Sequence, residues 1–262
     1  MPTLTTGTAR PVELPWEEGP LLRSRPGTSP EAPWCDAPLA SLDLETTGRD
    51  PANDRILAIA LFRQEDGQTP TPIVDTLVDP GPEIAIPEEA AAVHGITRER
   101  LITEGAPPLA EVLHEVHAAL CGLAADGIAV VIYNAPFDWP FLAAELTRLD
   151  PPRQLPDCAL VDPLVLDRHV DRYRKGKRTL EAAAEHYGVM LDDAHEAAAD
   201  ALASLGVARA IGRAYPDLGA LAPRELHAVQ VQAHGVWKDS FNAYLRRIGA
   251  DREPVTGDWP DR

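Results

Sequence analysis

One uninterrupted apolar run, Ile128 to Tyr133, constrains the fold more than any other stretch of this sequence. A strand with one face in water alternates apolar and polar residues, whereas an unbroken run is typical of a strand buried on both faces. Such a strand lies inside a sheet that helices cover on two sides. The run therefore predicts an α/β fold with a layered core.

Other segments complete the predicted sheet. Residues 40–45, 55–62 and 73–78 read as strands with short connections, which suit an antiparallel meander. One more strand is expected within 155–161. Apolar spacing predicts helices within 87–95, 108–123, 139–149, 162–170, 179–187, 195–214 and 223–247. Together these elements predict a mixed five-stranded sheet with helices on both faces.

Composition divides the chain into three parts. Residues 1–36 are rich in Pro, Gly, Thr and Ser and are predicted to form a flexible arm, whose few apolar residues suit docking on a protein partner. Residues 37–214 contain the predicted sheet and form the main domain. Residues 215–262 are predicted to form an amphipathic helix followed by a polar tail.

Charge, cysteine content and the lengths of the apolar runs argue against several classes of protein. The net charge of −17 argues against a passive nucleic-acid-coating protein, because such proteins are basic. No apolar run approaches the ~20 residues of a membrane helix, and no secretory signal is visible. The three cysteines are far apart, which argues against a disulfide framework or a zinc site. We expect a cytoplasmic protein without membrane association.

Two carboxylates share one face of the first predicted strand. Alternation places Leu42 and Leu44 on one face and Asp43 and Glu45 on the other. Neighbouring carboxylates raise each other's pKa unless a cation lies between them. A pair of this kind is more often the polar face of a half-exposed strand, so residues elsewhere must decide its role.

Two further aspartates favour a shared site. Asp138 begins a helix after the buried run, where Asp commonly caps the helix, but ligands of open sheets also collect beyond such strand ends. Asp200 falls on the same helical face as Ala201 and Ile211, which faces the core. An unpaired buried charge is costly, so Asp200 is expected to meet a cation.

A histidine completes the set. His195 precedes Asp200 by five residues, so the two side chains converge only if His195 lies in the loop before the helix. Four carboxylates and a histidine fit two hard divalent ions, Mg²⁺ or Mn²⁺. Two such ions activate a water and stabilise the leaving oxygen of a phosphodiester, while the histidine accepts the proton of that water. His94, before Gly95, is more typical of a helix end than of a ligand.

A basic stretch stands out in this acidic chain. Residues 168–178 hold six Lys or Arg and one acid. Arg172, Arg174 and Lys175 are predicted to bind phosphate, with Tyr173 available for stacking. A solvated loop and a docking site for an acidic protein are the alternatives.

Four motifs carry a resemblance to a known family: Asp43-Leu44-Glu45-Thr46-Thr47-Gly48, Val93-His94-Gly95-Ile96-Thr97, Asn134-x-x-Phe137-Asp138 and His195-x-Ala197-x-x-Asp200-Ala201. From about 38 to 212 the chain resembles the DEDDh 3′–5′ exonucleases, typified by the proofreading epsilon subunit of bacterial DNA polymerase III. The resemblance implies a ribonuclease H-like fold and release of nucleoside 5′-monophosphates from a 3′ end. It implies two metal ions held by Asp43, Glu45, Asp138 and Asp200, with His195 as general base. The substrate contacts it implies are Thr46, Thr47, His94, Asn134 and Phe137.

We therefore expect a metal-dependent 3′–5′ exonuclease acting on single-stranded or frayed ends, with DNA as the first substrate and RNA as the alternative. A non-catalytic nucleic-acid-binding module would lack a carboxylate, and none is missing. A phosphatase of small nucleotides would not need the basic stretch. Tyr133 stands where many relatives have His, and no Q-x-x-L-x-F sliding-clamp peptide is present.

Overall fold

The computed structural model describes residues 33–65, 67–191 and 196–261. Within these residues one sheet has the strand order β3-β2-β1-β4-β5. The strands are β1 (Leu39–Thr46), β2 (Ile56–Gln64), β3 (Thr71–Leu77), β4 (Ala129–Val131) and β5 (Leu160–Val161). The predicted mixed five-stranded α/β sheet is confirmed.

Within the described residues the structure contains the predicted helices and two short ones, Arg98–Glu104 and Pro216–Gly219, that the apolar spacing did not predict. Gly95 ends the first helix in the left-handed conformation, with φ 68°, as predicted, and the Thr97 hydroxyl caps the next by accepting a hydrogen bond from Arg100 N. The helices are α1 (Glu88–His94), α2 (Arg98–Glu104), α3 (Leu109–Ala125), α4 (Asp138–Arg148), α5 (Pro163–Val170), α6 (Leu180–Tyr187), α7 (Ala197–Ala214), α8 (Pro216–Gly219) and α9 (Pro223–Ile248).

Strand β1 lies at the centre of the sheet and extends beyond one of its neighbours. It pairs antiparallel with β2 along its whole length, and β2 pairs antiparallel with β3, so the predicted meander is confirmed. Its parallel pairing with β4 covers only Leu39 to Ser41. Strand β5 continues the parallel half of the sheet beside β4. The second half of β1 therefore projects past the end of β4.

Side chains of β4 enter the core on both faces of the sheet, as the apolar run predicts. Val130 packs with residues of α3 and α4, whereas Ala129 and Val131 pack with residues of α7. Helices thus cover both faces. On β1, Leu42 and Leu44 join the α3 and α4 side, which leaves the opposite face of β1 for α7.

Helix α9 covers the edge strand β5. The Gln230 amide donates to Leu160 O at 2.8 Å and accepts from Asp162 N at 2.6 Å, and His227 Nδ1 accepts from Leu160 N at 3.0 Å. An exposed strand edge invites pairing with other chains, and these side chains occupy it instead. The C-terminal helix therefore completes the sheet by side-chain hydrogen bonds.

Both flanks of the predicted main domain contribute buried residues. Trp34, within the range predicted as an arm, is fully buried, and its indole donates to Leu218 O at 2.8 Å. Trp259, in the predicted tail, is 3% exposed. The division at 36 and 214 stays a prediction, since these contacts report packing and not independent folding.

None of the helices in the described part of the chain has the length and apolarity needed to cross a membrane. Cys35, Cys121 and Cys158 are all free thiols, with Cys121 exposed. The cytoplasmic location stays a prediction.

Candidate active site

Three of the predicted carboxylates converge between β1 and α7. The carboxylate oxygens of Asp43, Glu45 and Asp200 lie within 4.8 Å of one another. The neighbours of Asp43 and Glu45 on β2 are Ala60 and Ala58, whose small side chains leave room beside the carboxylates. Strand alternation and helical phase thus bring together the acids that the sequence places on those faces.

The fourth carboxylate, Asp138, is oriented by β1. Its Oδ1 accepts a hydrogen bond from Leu44 N at 3.1 Å, and its side chain is buried. Because β4 pairs with β1 only as far as Ser41, the Leu44 amide lies past the end of that pairing. Asp138 is the first residue of α4, and no side-chain bond caps that helix, so the alternative role of Asp138 as a helix cap is wrong.

Burial and the charges of neighbouring acids raise the pKa values of Asp43, Glu45 and Asp138. Burial raises the pKa of Asp43 well above its usual range, and the charges of Asp138, Asp200 and Glu45 raise it further. Burial, followed by the charge of Asp200, raises the pKa of Glu45 to about 8. Burial also raises the pKa of Asp138, although the Leu44 amide opposes this shift. These acids cannot all ionise near neutral pH unless a cation shares the site.

The donor set fits a hard divalent ion. Carboxylate oxygens are the ligands that Mg²⁺ and Mn²⁺ prefer, and three of them converge here from two rigid elements. The raised pKa values also favour a bound cation, because its charge would stabilise the ionised form of each acid. Asp43, Glu45 and Asp200 are therefore the residues suited to hold a metal, with Asp138 beside them.

A buried aspartate that the sequence analysis missed shapes the turn before Asp138. Asn134 adopts the left-handed conformation, with φ 63°, which is uncommon for a residue other than glycine. The backbone N–H of Asn134 donates to Asp162 Oδ1 at 2.9 Å, and the backbone N–H of Ala135 donates to Asp162 Oδ2 at 3.0 Å. The sequence signal was present, since Asp before Pro163 is a typical helix start. Asp162 thus caps α5 and holds this turn.

Phe137 closes the same turn. Its amide donates to Asn134 O at 2.8 Å, and its ring lies 5.2 Å from that of Phe141. The Asn134 side chain is exposed beyond the end of β4. Contact of Asn134 and Phe137 with a nucleotide stays a prediction.

His94 joins the end of α1 to the end of β1. Its Nδ1 accepts from Ile96 N at 3.0 Å, so the proton belongs on Nε2, which lies 3.3 Å from Thr46 O. Burial lowers the pKa of His94, which agrees with a neutral ring. Thr46 and Thr47 are buried, and the Thr47 hydroxyl accepts from Arg55 N at 3.0 Å. These residues lie beside Glu45, and their contact with substrate stays a prediction.

The basic stretch is partly occupied by an internal acid. Arg174 makes two hydrogen bonds to the fully buried Asp167, at 2.8 and 3.0 Å, and Arg178 also pairs with it. Arg172 and Lys175 are exposed, and Arg172 donates to Ser240 Oγ at 2.8 Å. The role of Arg174 in binding phosphate stays a prediction, but the structure gives its guanidinium a second role in holding Asp167.

His195 lies outside the described residues, between Leu191 and Glu196. Helix α7 begins at Ala197, two residues later than the predicted boundary. The convergence of His195 with Asp200 therefore stays a prediction. The proposed contact of the arm with a partner also falls outside the described residues, except at its last four positions.

Comparisons with known proteins agree with this geometry. Residues 41–208 match the family RNase_T, described as an exonuclease. The "DNA polymerase III subunit epsilon-like protein" of Rhodobacter capsulatus is 32% identical over 228 residues, which are 83% of this chain and 30% of that protein. The chain thus spans less than a third of the length of this relative.

Solved structures share the fold. Exonuclease I from Methylocaldum szegediense is similar with a TM-score of 0.56 and 25% identity, over 70% of this chain and 42% of that one. Exonuclease X, solved with 5′ overhanging duplex DNA, gives a TM-score of 0.53 and 19% identity, over 73% of this chain and 99% of that one. The expected ribonuclease H-like fold is confirmed, and Asp43, Asp138 and Asp200 lie inside the matched residues. The chain belongs to the exonuclease family.

Proposed function

We propose that this protein is a metal-dependent 3′–5′ exonuclease that removes nucleotides one at a time from single-stranded or frayed ends. The observation that carries the proposal is the convergence of Asp43, Glu45 and Asp200 within 4.8 Å, with Asp138 held beside them. Burial and mutual repulsion raise the pKa values of this cluster, which suits it to bind cations.

Two Mg²⁺ or Mn²⁺ ions are the proposed cofactors, held by Asp43, Glu45, Asp138 and Asp200. When bound, such a pair supplies an activated water and stabilises the leaving oxygen of a phosphodiester. The chain itself contributes a rigid arrangement of ligands. Asp43 and Glu45 stand on the central strand, and the Leu44 amide orients Asp138.

The remaining roles are assigned to residues around this cluster. His195 is the proposed general base, which accepts the proton of the attacking water because imidazole titrates near neutral pH. Thr46, Thr47 and His94 are proposed to lie along the terminal nucleotide, since they surround the carboxyl end of β1. Asn134 and Phe137 are proposed to contact it from the turn after β4. The product is a nucleoside 5′-monophosphate.

DNA is the proposed substrate, with RNA as the alternative. The name of the Rhodobacter capsulatus relative and the DNA bound to exonuclease X favour DNA. We further propose a cytoplasmic location and a protein partner for the arm.

The test compares 5′-labelled single-stranded DNA, duplex DNA and RNA with Mg²⁺ or Mn²⁺ present. We expect single-stranded DNA to be shortened fastest, one nucleotide at a time from the 3′ end. Asp200→Asn should abolish shortening, whereas Asp217→Asn, at an exposed position on α8, should not. Faster shortening of RNA would reverse the substrate assignment. Release of inorganic phosphate from mononucleotides, without shortening of strands, would indicate a phosphatase.

A further inference from the structure

A cavity of about 340 Å³ lies between the end of α5, the loop that follows it, α9 and the C-terminal tail. Its lining contains four arginines and two aromatic residues, and no acidic residue of the described part of the chain lines it. In a chain with a net charge of −17, this concentration of arginines indicates an anion site. The lining residues are Arg168, Arg172, Arg178, Arg252, Trp237 and Phe241, together with Gly176.

The aromatic residues orient two of the arginines. The Arg168 guanidinium lies 3.9 Å from the centre of the Trp237 ring, and that of Arg252 lies 5.5 Å from the centre of the Phe241 ring. The two rings stack on each other at 5.3 Å with an interplanar angle of 11°. A guanidinium stacked on a ring keeps its N–H groups in its own plane, where they can bind an anion. The rings thus hold the donors in place before any ligand arrives.

Other contacts hold the rest of the lining. Arg172 bonds to Ser240 on α9, and Arg178 pairs with Asp167. The tail folds back along α9 and is held there by Asn242. The side-chain amide of Asn242 donates to Val255 O and accepts from Val255 N, each at 2.8 Å. This fold-back brings Arg252 to Phe241. The C-terminal segment therefore builds one wall of the cavity, and the basic stretch builds the other.

The order of contacts places the cavity beyond the same end of the sheet towards which the carboxylates lie. Helix α9 passes β5 at Gln230 and then meets Arg168 through Trp237, so α5 and α9 run side by side in one direction. At 1.5 Å per residue, Trp237 lies about 10 Å beyond the carboxyl end of β5. Strands β1, β4 and β5 are parallel, so their carboxyl ends lie at one end of the sheet. Asp43 and Glu45 lie on β1 towards that same end.

We propose that this cavity binds backbone phosphates of the substrate strand upstream of its 3′ end, an inference that rests on the proposed function. The planar guanidinium group of arginine presents paired N–H donors whose spacing matches two oxygens of a phosphate. The stacked rings engage each other and two guanidinium groups, so recognition acts through charge and is indifferent to the base. The cavity holds a strand that has more than one phosphate while the terminal phosphodiester lies at the carboxylates.

The test uses the full chain with Arg172→Gln and Arg252→Gln combined. Both side chains are exposed, and neither pairs with a buried carboxylate in the described residues. Affinity for a long single strand is measured by fluorescence anisotropy over a range of salt concentrations, with chelator present to prevent cleavage. Each lost phosphate contact should reduce the slope of log affinity against log salt by about 0.7.

Two matched controls accompany this variant. Replacing Arg172 and Arg252 by Lys keeps both charges, so the slope should stay close to that of the wild type. Arg63→Gln combined with Arg224→Gln removes one half-buried and one exposed charge outside the cavity and should also leave the slope unchanged.

Cleavage assays separate the cavity from the active site. A dinucleotide without a 5′ phosphate carries only the scissile phosphodiester, so its cleavage rate should be equal in the wild type and the Gln variant. The KM for a long strand should rise in the Gln variant alone. Unchanged strand affinity, slope and KM would overturn the proposal. So would unchanged strand affinity together with lost binding of a poly-glutamate peptide, which would assign the cavity to acidic proteins. A wild-type protein that binds strands through the cavity but cleaves nothing would refute the exonuclease function and leave phosphate binding supported.

Discussion

The indole Nε1 of Trp259 donates a hydrogen bond of 3.0 Å to Oδ2 of Asp162, although 97 residues separate them. The same carboxylate accepts hydrogen bonds from the backbone N–H groups of Asn134 and Ala135, in the turn that leads to Asp138. Trp259 lies beyond residues 41–208, which match the exonuclease family. The C-terminal tail is thus connected to a proposed metal ligand through one buried aspartate.

This connection predicts an effect of Trp259→Phe, which keeps the aromatic ring and removes the N–H donor. Asp162 is fully buried, so the loss of a donor should lower the free energy of unfolding by about 1–3 kcal/mol. The kcat should fall because the turn carrying Asp138 loses support. Urea unfolding and steady-state kinetics provide the measurements. Tyr244→Phe, at an exposed aromatic residue of α9, is the control. Wild-type stability in Trp259→Phe would contradict the supporting role.

Asp167 predicts how stability depends on pH. Burial alone would raise its pKa, but bonds from Arg174, Arg178 and Tyr187 outweigh burial and hold the pKa below its ordinary value of 3.8. A depressed carboxyl pKa contributes stability above the ordinary pKa, and that stability is lost as the pH falls through the lower, folded-state pKa. Asp167→Asn should therefore cost about 3–5 kcal/mol at pH 7.

The difference between Asp167→Asn and the wild type should shrink below about pH 4. Urea unfolding over a pH series measures this convergence. Asp258→Asn, which removes an exposed carboxylate paired with Lys238, should change stability little at any pH. A constant difference between Asp167→Asn and the wild type down to pH 2 would show that ionisation of Asp167 is irrelevant.

Metal binding should reverse the stability order of the wild type and Asp200→Asn. Without metal, the variant should be at least as stable as the wild type, because one charge in a repulsive cluster is gone. With Mg²⁺, the wild type should gain in Tm and the variant should gain less, since ligands that bind the native state stabilise it. Equal gains in Tm would place the metal elsewhere.

His195→Ala should lower the cleavage rate by roughly 10² to 10⁴, the usual contribution of a positioned acid–base group. The rise in Tm with Mg²⁺ should remain, because a general base is not a metal ligand. The acid limb of the wild-type pH–rate profile, expected near the imidazole pKa of about 6.5, should disappear. Loss of the metal effect would make His195 a ligand or a structural residue.

The sequence predicted features that depend on local periodicity. Alternation placed Asp43 and Glu45 on one face of β1, and helical phase turned Asp200 towards them, as the structure shows. The extent of β4 was not predictable in this way. The apolar run covers 128–133, but the strand ends at Val131, and that shortening leaves Leu44 N for Asp138. Strand length depends on the partner strand, which local sequence does not specify.

Features built by distant segments escaped the sequence analysis. The bond between Trp259 and Asp162 and the cavity lined by Arg168 and Arg252 both require the tail to fold back along α9. No periodic pattern in the sequence indicates that the tail folds back in this way. Arg174 was predicted to bind phosphate from charge alone, whereas its hydrogen bonds to Asp167 depend on a loop that turns back onto α5. Charge runs show which groups are present but not which partners they meet.

The central claim is that the cluster of Asp43, Glu45, Asp138 and Asp200 performs metal-dependent cleavage from the 3′ end. Its most direct test follows a 5′-labelled single strand with the wild type and Asp43→Asn, each with Mg²⁺ and with chelator. We expect a ladder that shortens by single nucleotides only for the wild type with Mg²⁺. Cleavage by the wild type that chelator leaves unchanged, or an equal ladder from Asp43→Asn, would contradict the account.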